Sequence, residues 1–471
     1  MSRFDTDICI IGAGAAGLSL AAGAVQMGAR VTLIEAAEMG GDCLNHGCVP
    51  SKALLAAAAL AQARREGAGL GLVPTQPLVD FAAVLAHVKA AIATIAPHDS
   101  EARFAGLGVQ VMRGWARFVA PDAVEVGGRR VTARRFVIAT GSRPVIPALP
   151  GLEGVPYLTN ESVFDQPDLP DHLIVLGGGP IGLEMSQAHA RLGAKVTVVE
   201  AVRILPREDP EAVAVLADRL RLEGVAIVEG TAAARVEGAS GAISLHLADG
   251  RVVEGARLLL AVGRRPVLDG MGLEAAGIAH TAAGVTVDRS LRSTTNRRVY
   301  ALGDAAGLGQ FTHLAGYHAG VAARSILFGL TARAGAVIPR VTYTAPELAQ
   351  IGLTEAEARA RYGAVQVIRQ EMGALDRVVA AGGAPGFLKL VLHRGRPVGV
   401  TIVGPQAGEV IGPWSLVLTG KLRLSALAGV VLPYPTVSEI NKRAAGACFS
   451  PRLFANPWVK RVVRLVQRRL P

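Results

Sequence analysis

A chain of 471 residues, 51% of them apolar, is too long for one ordinary core and apolar enough to bury several, so a multidomain globular protein is expected. Only four cysteines occur, Cys9, Cys43, Cys48 and Cys448, which excludes a disulfide scaffold. The net charge is +11, and Arg452, Lys460, Arg461, Arg464, Arg468 and Arg469 lie in the last 21 residues without an acid; no nucleic-acid motif accompanies this excess, so neither DNA nor RNA is expected as a partner.

Asp7 to Ile11 read as a buried strand, followed by the turn Gly12-Ala13-Gly14-Ala15-Ala16-Gly17, a helix, and a strand from Val31 to Ile34 ending at Glu35. This is a dinucleotide-binding fingerprint. Its glycines permit a tight turn, close approach of backbone to pyrophosphate and helix-on-sheet contact, while Glu35 can accept from ribose hydroxyls. The stretch Ile8 to Ala29 is nearly free of charge and long enough to cross a bilayer, but the glycines break it where strand turns to helix, so a membrane span is rejected. The opening residues Met1 to Asp7 run straight into the strand without a leader of the secretory kind. A reducing, cytoplasmic setting is therefore expected, where a cysteine pair is usually catalytic or redox-sensing.

Cys43 and Cys48 follow in Gly41-Asp42-Cys43-Leu44-Asn45-His46-Gly47-Cys48-Val49-Pro50-Ser51-Lys52, leading into a helix predicted over 50–63. A bridge between them would close only a small ring and restrain the unfolded chain little, so the pair is explained by chemistry rather than stability. The start of a helix favours thiolate, the form that attacks disulfides and binds soft metals.

Phe136 to Ile138 read as a strand leaving the first unit through Ala139-Thr140-Gly141-Ser142-Arg143-Pro144. A second fingerprint follows at Leu173–Leu176, Gly177-Gly178-Gly179-Pro180-Ile181-Gly182, a helix through Leu192, and Val196–Val199 ending at Glu200. Two dinucleotide sites are expected. Ala261-Val262-Gly263-Arg264-Arg265-Pro266 marks the exit from the second unit, Val299 to Leu302 a strand returning to the first before Gly303-Asp304, and from about Val337 alternating strands such as Phe387–Leu392 and Val398–Val403 need a core of their own.

Together with the run Tyr343 to Thr354, these motifs resemble the pyridine nucleotide-disulfide oxidoreductases, the family of dihydrolipoamide dehydrogenase, glutathione reductase and mercuric reductase. The resemblance implies an α/β fold with two Rossmann-like dinucleotide-binding domains, for FAD and NAD(P), plus a C-terminal α+β dimerisation domain, and hence a homodimer. The implied segments are 1–150 and 268–336 for FAD, 151–267 for NAD(P), 337–450 for dimerisation and 451–471 as a basic tail. It implies FAD on Gly12, Gly14, Gly17, Thr140 and Gly141, with Glu35 at the adenosine ribose and Asp304 at the ribityl chain. The nicotinamide cofactor falls to Gly177, Gly179, Gly182, Glu200 and Gly263. Cys48 would face the isoalloxazine and form the charge-transfer thiolate, Cys43 would be the interchange thiol that meets the acceptor, and Lys52 and Glu184 would stand near the reactive flavin nitrogen. The Glu200 carboxylate would repel a 2′-phosphate, so NADH is favoured over NADPH, with Arg203 nearby as an opposing cation.

One departure bears on the acceptor. Where dithiol-handling members carry His-Pro-Thr-x-x-Glu, offered to the other subunit's thiols, this chain has Tyr434-Pro435-Thr436-Val437-Ser438-Glu439. An ordinary tyrosine is a poor base at neutral pH. Mercuric reductases also place a tyrosine here, which tilts the expectation toward a metal ion or small electrophile over a lipoamide-like dithiol, although the chain lacks their N-terminal metal-binding domain and terminal cysteine pair. A flavoprotein passing electrons to a membrane-bound partner or quinone, and a redox sensor, are the competing classes. Cys9 is expected in the core, Cys448 as a buried or incidental cysteine or else a metal-relay thiol, His46 as a surface loop residue or a proton relay, and His313 and His318 as packing near the cofactor. In the tail, Trp458, Val459, Val462, Val463, Val466 and Leu470 oppose Lys460, Arg461, Arg464 and Arg468, an amphipathic helix that would pack on the dimer or lie on the inner face of an anionic membrane.

Overall fold

The computed structural model describes residues 4–470; Met1–Arg3 and Pro471, assigned from sequence to the first and last segments, lie outside the described residues. The chain opens with β1 (Thr6–Ile11), α1 (Ala15–Gln26), β2 (Val31–Glu35), α2 (Gly41–Asn45), α3 (Cys48–Arg65), α4 (Phe81–Ile95) and α5 (Glu101–Gly106). β3 (Gln110–Arg113), β4 (Arg117–Ala120), β5 (Ala123–Val126), β6 (Arg129–Ile138) and β7 (Ser142–Pro144) follow. The first sheet has the order β3-β2-β1-β6-β5-β4. Ile10 sits beside Leu33 and Val137 in parallel register, and helices cover one face of this sheet while Phe118, Phe136 and Ile138 cluster on the other. Burial on both faces is why the strand from Ile8 reads as an unbroken apolar run rather than a membrane span.

The second domain holds β8 (His172–Leu176), α6 (Pro180–Leu192), β9 (Lys195–Glu200), α7 (Pro210–Leu222) and β10 (Val225–Glu229). A meander β11 (Ala233–Ala239), β12 (Ala242–Leu247), β13 (Val252–Gly255) precedes β14 (Arg257–Leu260), which completes a parallel sheet of order β10-β9-β8-β14. β15 (Arg264–Pro266) pairs antiparallel with β7, joining the ends of the two domains. After β16 (His280–Thr281) and β17 (Gly284–Val285), β18 (Val299–Ala301) pairs in parallel with β6, and α8 (Thr312–Phe328) packs on α1.

β19 (Arg340–Thr342), β20 (Glu347–Gly352), β21 (Gln366–Glu371), β22 (Phe387–His393) and β23 (Arg396–Gly404) form an antiparallel sheet of order β19-β20-β23-β22-β21. Its core is closed by Trp414, whose indole N–H donates to Asn441 Oδ1 at 2.7 Å. Two Rossmann-like domains and an α+β third domain are thus the architecture implied by the sequence pattern.

Two boundaries differ from the sequence expectation. The helix predicted over 50–63 begins at Cys48 and runs to Arg65. Pro50 occupies its third position, where the missing N–H would have had no partner in the helix. The tail is two helices rather than one, Ser450–Phe454 and Pro457–Gln467, because Asn456 caps the Trp458 amide (2.9 Å) and Pro457 takes the first helical position. Among the described residues one helical stretch, 81–106, is long and apolar enough to cross a membrane; it is interrupted by a 3₁₀ turn at Ala96–Asp99.

The second and third domains are joined by a buried ion cluster. Lys389 on β22, 3% exposed, reaches Asp209 Oδ2 at 2.9 Å, Glu211 Oε1 at 2.7 Å and Glu355 Oε2 at 3.2 Å, and Asp209 also caps α7. Burial works against the ammonium, but the hydrogen bonds to Glu211 and Asp209 outweigh it and raise its pKa. Lys389→Met would leave the Asp209 carboxylate buried and uncompensated, at a cost of about 3–5 kcal/mol. Denaturant unfolding measures this, and a loss below about 1 kcal/mol would mean that the carboxylates are adequately solvated without the lysine.

Candidate active site

The redox loop is built on helix starts. Cys43 lies in α2 and Cys48 is the first residue of α3. The Cys48 sulfur is also 3.3 Å from Oγ1 of Thr312, the first residue of α8. Both cysteines are free thiols, and they hydrogen-bond each other. That bond from Cys43, opposed by burial and aided by Thr312 and the Lys52 ammonium, holds the Cys48 pKa down to about 6. The same bond, with burial, pushes Cys43 far above an ordinary thiol. The pair thus favours the thiolate on Cys48 and the proton on Cys43.

Lys52 lies one turn along α3, with Nζ 2.8 Å from Glu184 Oε2 and 4.3 Å from the centre of the Tyr343 ring. Glu184, buried on α6, uses its other oxygen to accept the Tyr343 amide at 2.9 Å. One carboxylate thus ties α3, α6 and the start of the third domain together beside the cysteine pair.

The two glycine turns are superimposable in logic. Gly12 and Gly177 have φ of +107° and +115°, and a Cβ there would stand 2.3 and 2.4 Å from the carbonyl oxygens of Ala139 and Ala261. Gly17 and Gly182 press on the carbonyls of Gly12 and Gly177, at 1.9 and 2.1 Å from a Cβ. The middle glycines differ: at Gly14 the nearest atom is 3.9 Å away, and at Gly179 nothing lies within 4 Å. Four glycines therefore serve the fold, and two leave open the approach of a pyrophosphate to the backbone.

The acids at the strand ends are oriented alike. Glu35 accepts from the amides of Ala13 (2.6 Å) and Ala37 (2.7 Å), and Glu200 from those of Gly178 (2.8 Å) and Val202 (3.1 Å). One cleft of about 2350 Å³ is lined by both turns, both acids, the cysteine pair and Lys52. Open glycines, oriented carboxylates and a continuous cleft fit two dinucleotides meeting at the thiols.

A polar chain missed in the sequence anchors this loop. Arg264 on β15 pairs with Asp42 at 3.0 Å and donates from Nε to the Ser142 hydroxyl at 2.9 Å, which in turn donates to Asp304 Oδ2 at 2.6 Å. Asn160 Nδ2 donates to the same Asp42 oxygen, Oδ1, at 2.9 Å. Burial raises the Asp304 pKa despite Ser142 and Arg264. Thr140 donates to the Val267 carbonyl at 2.7 Å, Gly141 has φ of +66°, and Gly263 has φ of +130°. Thr312, Tyr343, Arg264 and Asn160 are thus site residues that no motif singled out. Tyr343 and Arg264 lie inside runs already quoted, but their partners are remote in the chain.

Tyr434 and Glu439 are not brought to the cleft of their own chain. Tyr434 is 70% exposed and its hydroxyl donates to Asp376, whose carboxylate raises the tyrosine pKa, while Glu439 pairs with Arg443 at 2.9 Å. Any contact with the thiols has to come through a second subunit. His46 lies 3.6 Å from Glu38. His318 is buried and accepts the Gly303 amide at 3.2 Å, burial lowering its pKa to about 4, and His313, on the cleft wall, stacks on Phe311 and donates to the Pro339 carbonyl at 2.9 Å. Cys9 is fully buried, its thiol pushed up to about 12, and Cys448 packs at the edge of the third core. Among the described residues no group of three or more His, Cys, Asp or Glu side chains could hold a metal ion.

Two outcomes follow from this geometry. Gly179→Ala leaves melting temperature and flavin content unchanged but raises KM for the nicotinamide cofactor about tenfold or more, whereas Gly177→Ala impairs folding; equal effects of the two would undo the division of roles. In the reduced protein, iodoacetamide alkylation of Cys48 tracks its thiolate, present above a midpoint near pH 6 and lost as pH falls through it. Lys52→Met raises that midpoint by about one unit, and an unmoved midpoint would remove the lysine's electrostatic part.

Comparison with known proteins agrees with these features. Residues 6–320 match the pyridine nucleotide-disulphide oxidoreductase family, and residues 338–445 match the dimerisation domain of the same name. A mercuric reductase from Bacillus cereus is 33% identical over 93% of this chain and 70% of its own length, and a dihydrolipoyl dehydrogenase from Thermus scotoductus is 36% identical over 94% and 97%. Among solved structures, the Cu(II) complex of the HOCl-induced flavoprotein disulfide reductase RclA from Escherichia coli aligns with a TM-score of 0.84 at 27% identity, covering 93% of this chain and 99% of that one. LpdA from Mycobacterium tuberculosis aligns with a TM-score of 0.85 at 29% identity, covering 94% and 99%. With both nucleotide turns, the dithiol and the dimerisation domain in place, the chain belongs to the class I pyridine nucleotide-disulfide oxidoreductases, FAD-dependent enzymes that work as homodimers.

Proposed function

We propose that this oxidoreductase works in the direction of acceptor reduction, passing two electrons from NADH through the Cys43–Cys48 pair to a soft metal ion or small electrophile. The observation that carries it is the proton arrangement: Cys48 supplies a thiolate at neutral pH, while Tyr434, in the place of a basic histidine, is pushed further from usefulness as a base by Asp376. A metal ion needs thiolates and electrons but no proton from a partner residue.

On this reading Gly12, Gly14, Gly17, Glu35, Thr140, Gly141 and Asp304 hold FAD, and Gly177, Gly179, Gly182, Glu200 and Gly263 hold the nicotinamide cofactor. Flavin, when bound, supplies the two-electron passage between nicotinamide and the cysteine pair. The Lys52–Glu184 pair sets the local charge, Cys48 remains the internal thiolate, and Cys43 meets the acceptor. For a divalent soft ion, NADH and the ion yield NAD⁺, a proton and the zero-valent metal. For a disulfide, Cys43 attacks one sulfur, expelling a thiol, and Cys48 then attacks Cys43 to release the second thiol and restore the bridge. NADH is favoured because the Glu200 carboxylate is held at the strand end by two amides, and the Arg203 guanidinium is engaged with the Pro206 carbonyl at 2.8 Å instead of the cleft.

A second reading, oxidation of a lipoamide-like dithiol, is favoured by the identity to a dihydrolipoyl dehydrogenase and by the want of a metal-ligand cluster among the described residues. Steady-state assays of the FAD-loaded protein separate the two. The expected result is a higher kcat/KM for NADH than NADPH and faster turnover with mercuric ion than with lipoamide, abolished by Cys43→Ser. Faster dihydrolipoamide oxidation would transfer the assignment to the second reading, and no turnover with either would indicate a sensor.

A further inference from the structure

We propose that the terminal helix Pro457–Gln467 docks on an anionic lipid bilayer and holds the reductase at a membrane surface. Within a single chain this helix buries none of its side chains. Trp458, Val462, Leu465 and Val466 recur at the spacing of one helical face and are 72, 52, 51 and 41% exposed. Lys460, Arg461, Arg464 and Arg468 occupy the opposite side, and no acid occurs in the last 21 residues to neutralise them. The preceding turn adds Leu453 and Phe454, 52 and 67% exposed.

Length settles the orientation. Eleven helical residues span about 16 Å, roughly half of a bilayer core, so the helix lies in the interface and does not cross it. Its apolar face would enter the acyl boundary, Trp458 would sit at the headgroup level, and the basic side chains would meet lipid phosphates.

Charge selects the occupant. A second copy pairing apolar face to apolar face would cover the apolar residues but leave both basic faces without an acid to meet them, on a chain already carrying +11. An anionic membrane meets the same apolar face with complementary charge. Nothing in the redox cleft contributes to this surface, so its failure would leave the oxidoreductase assignment untouched.

Co-sedimentation of the FAD-loaded full chain with phosphatidylcholine vesicles, with and without phosphatidylglycerol, tests the proposal. The full chain is expected to pellet with the anionic vesicles, less so at high salt, and to stay in solution with phosphatidylcholine alone. Two double variants, Val462→Glu with Val466→Glu and Lys460→Glu with Arg464→Glu, should each lower the bound fraction about tenfold or more. Unchanged flavin content and unchanged NADH-driven turnover in solution would show that both variants are folded. Equal pelleting of wild type and variants, or no pelleting of either, overturns the proposal. So does a smaller sedimenting species for the apolar-face variant without vesicles, which would place a second copy on this helix.

Discussion

The placement of one sulfur organises this molecule. Cys48 begins α3 and touches the first residue of α8, so two helix starts, each with the partial positive charge of its unpaired amides, converge on one thiol. Lys52 adds a full charge one turn away, and Cys43 adds a hydrogen-bond donor. The hydrogen bond from Cys43 is the largest of these, and a helix end adds about 0.3–1 kcal/mol to a nearby charge. Acting together on a partly desolvated atom they overcome the burial that would otherwise keep it protonated. The thiolate is a property of the convergence of Cys43, Thr312 and Lys52 on one sulfur.

The nucleotide cleft is a single mechanical solution used twice. In each domain the first glycine of the turn is forced against the carbonyl of an alanine that ends a neighbouring strand, Ala139 in one case and Ala261 in the other. The turn is thereby locked to the sheet before any ligand arrives, and only the middle glycine is left to the ligand. The strand-end acids are pre-oriented by two backbone amides each, so binding a ribose does not require a side chain to be ordered from solvent.

Coupling between the domains runs through polar groups. Arg264 leaves the second domain, grips Asp42 in the redox loop, and reaches Asp304 through Ser142. Glu184 leaves the same domain to hold both Lys52 and the Tyr343 amide. A shift of the second domain would therefore disturb the charges around the thiol pair directly. The Lys389 cluster at the start of α7 anchors that domain to the third.

The sequence by itself determined the repeated strand-turn-helix-strand-acid units, the order of the domains and the place of the cysteine pair between them, because each rests on spacing within a few residues. Gly12 to Glu35, Gly177 to Glu200 and Cys43 to Lys52 are all legible in this way. The start of α3 at Cys48, two residues earlier than expected, followed from local rules that a proline had obscured. Only the tertiary structure decided which groups hold the Cys48 pKa down, that Thr312, Tyr343, Arg264 and Asn160 lie around the cysteine pair, and that Tyr434 is engaged with Asp376 away from its own cleft. The physical reason is distance along the chain: hydrogen bonds and charges act across a few ångströms of space, and 264 residues separate Cys48 from the hydroxyl that touches it.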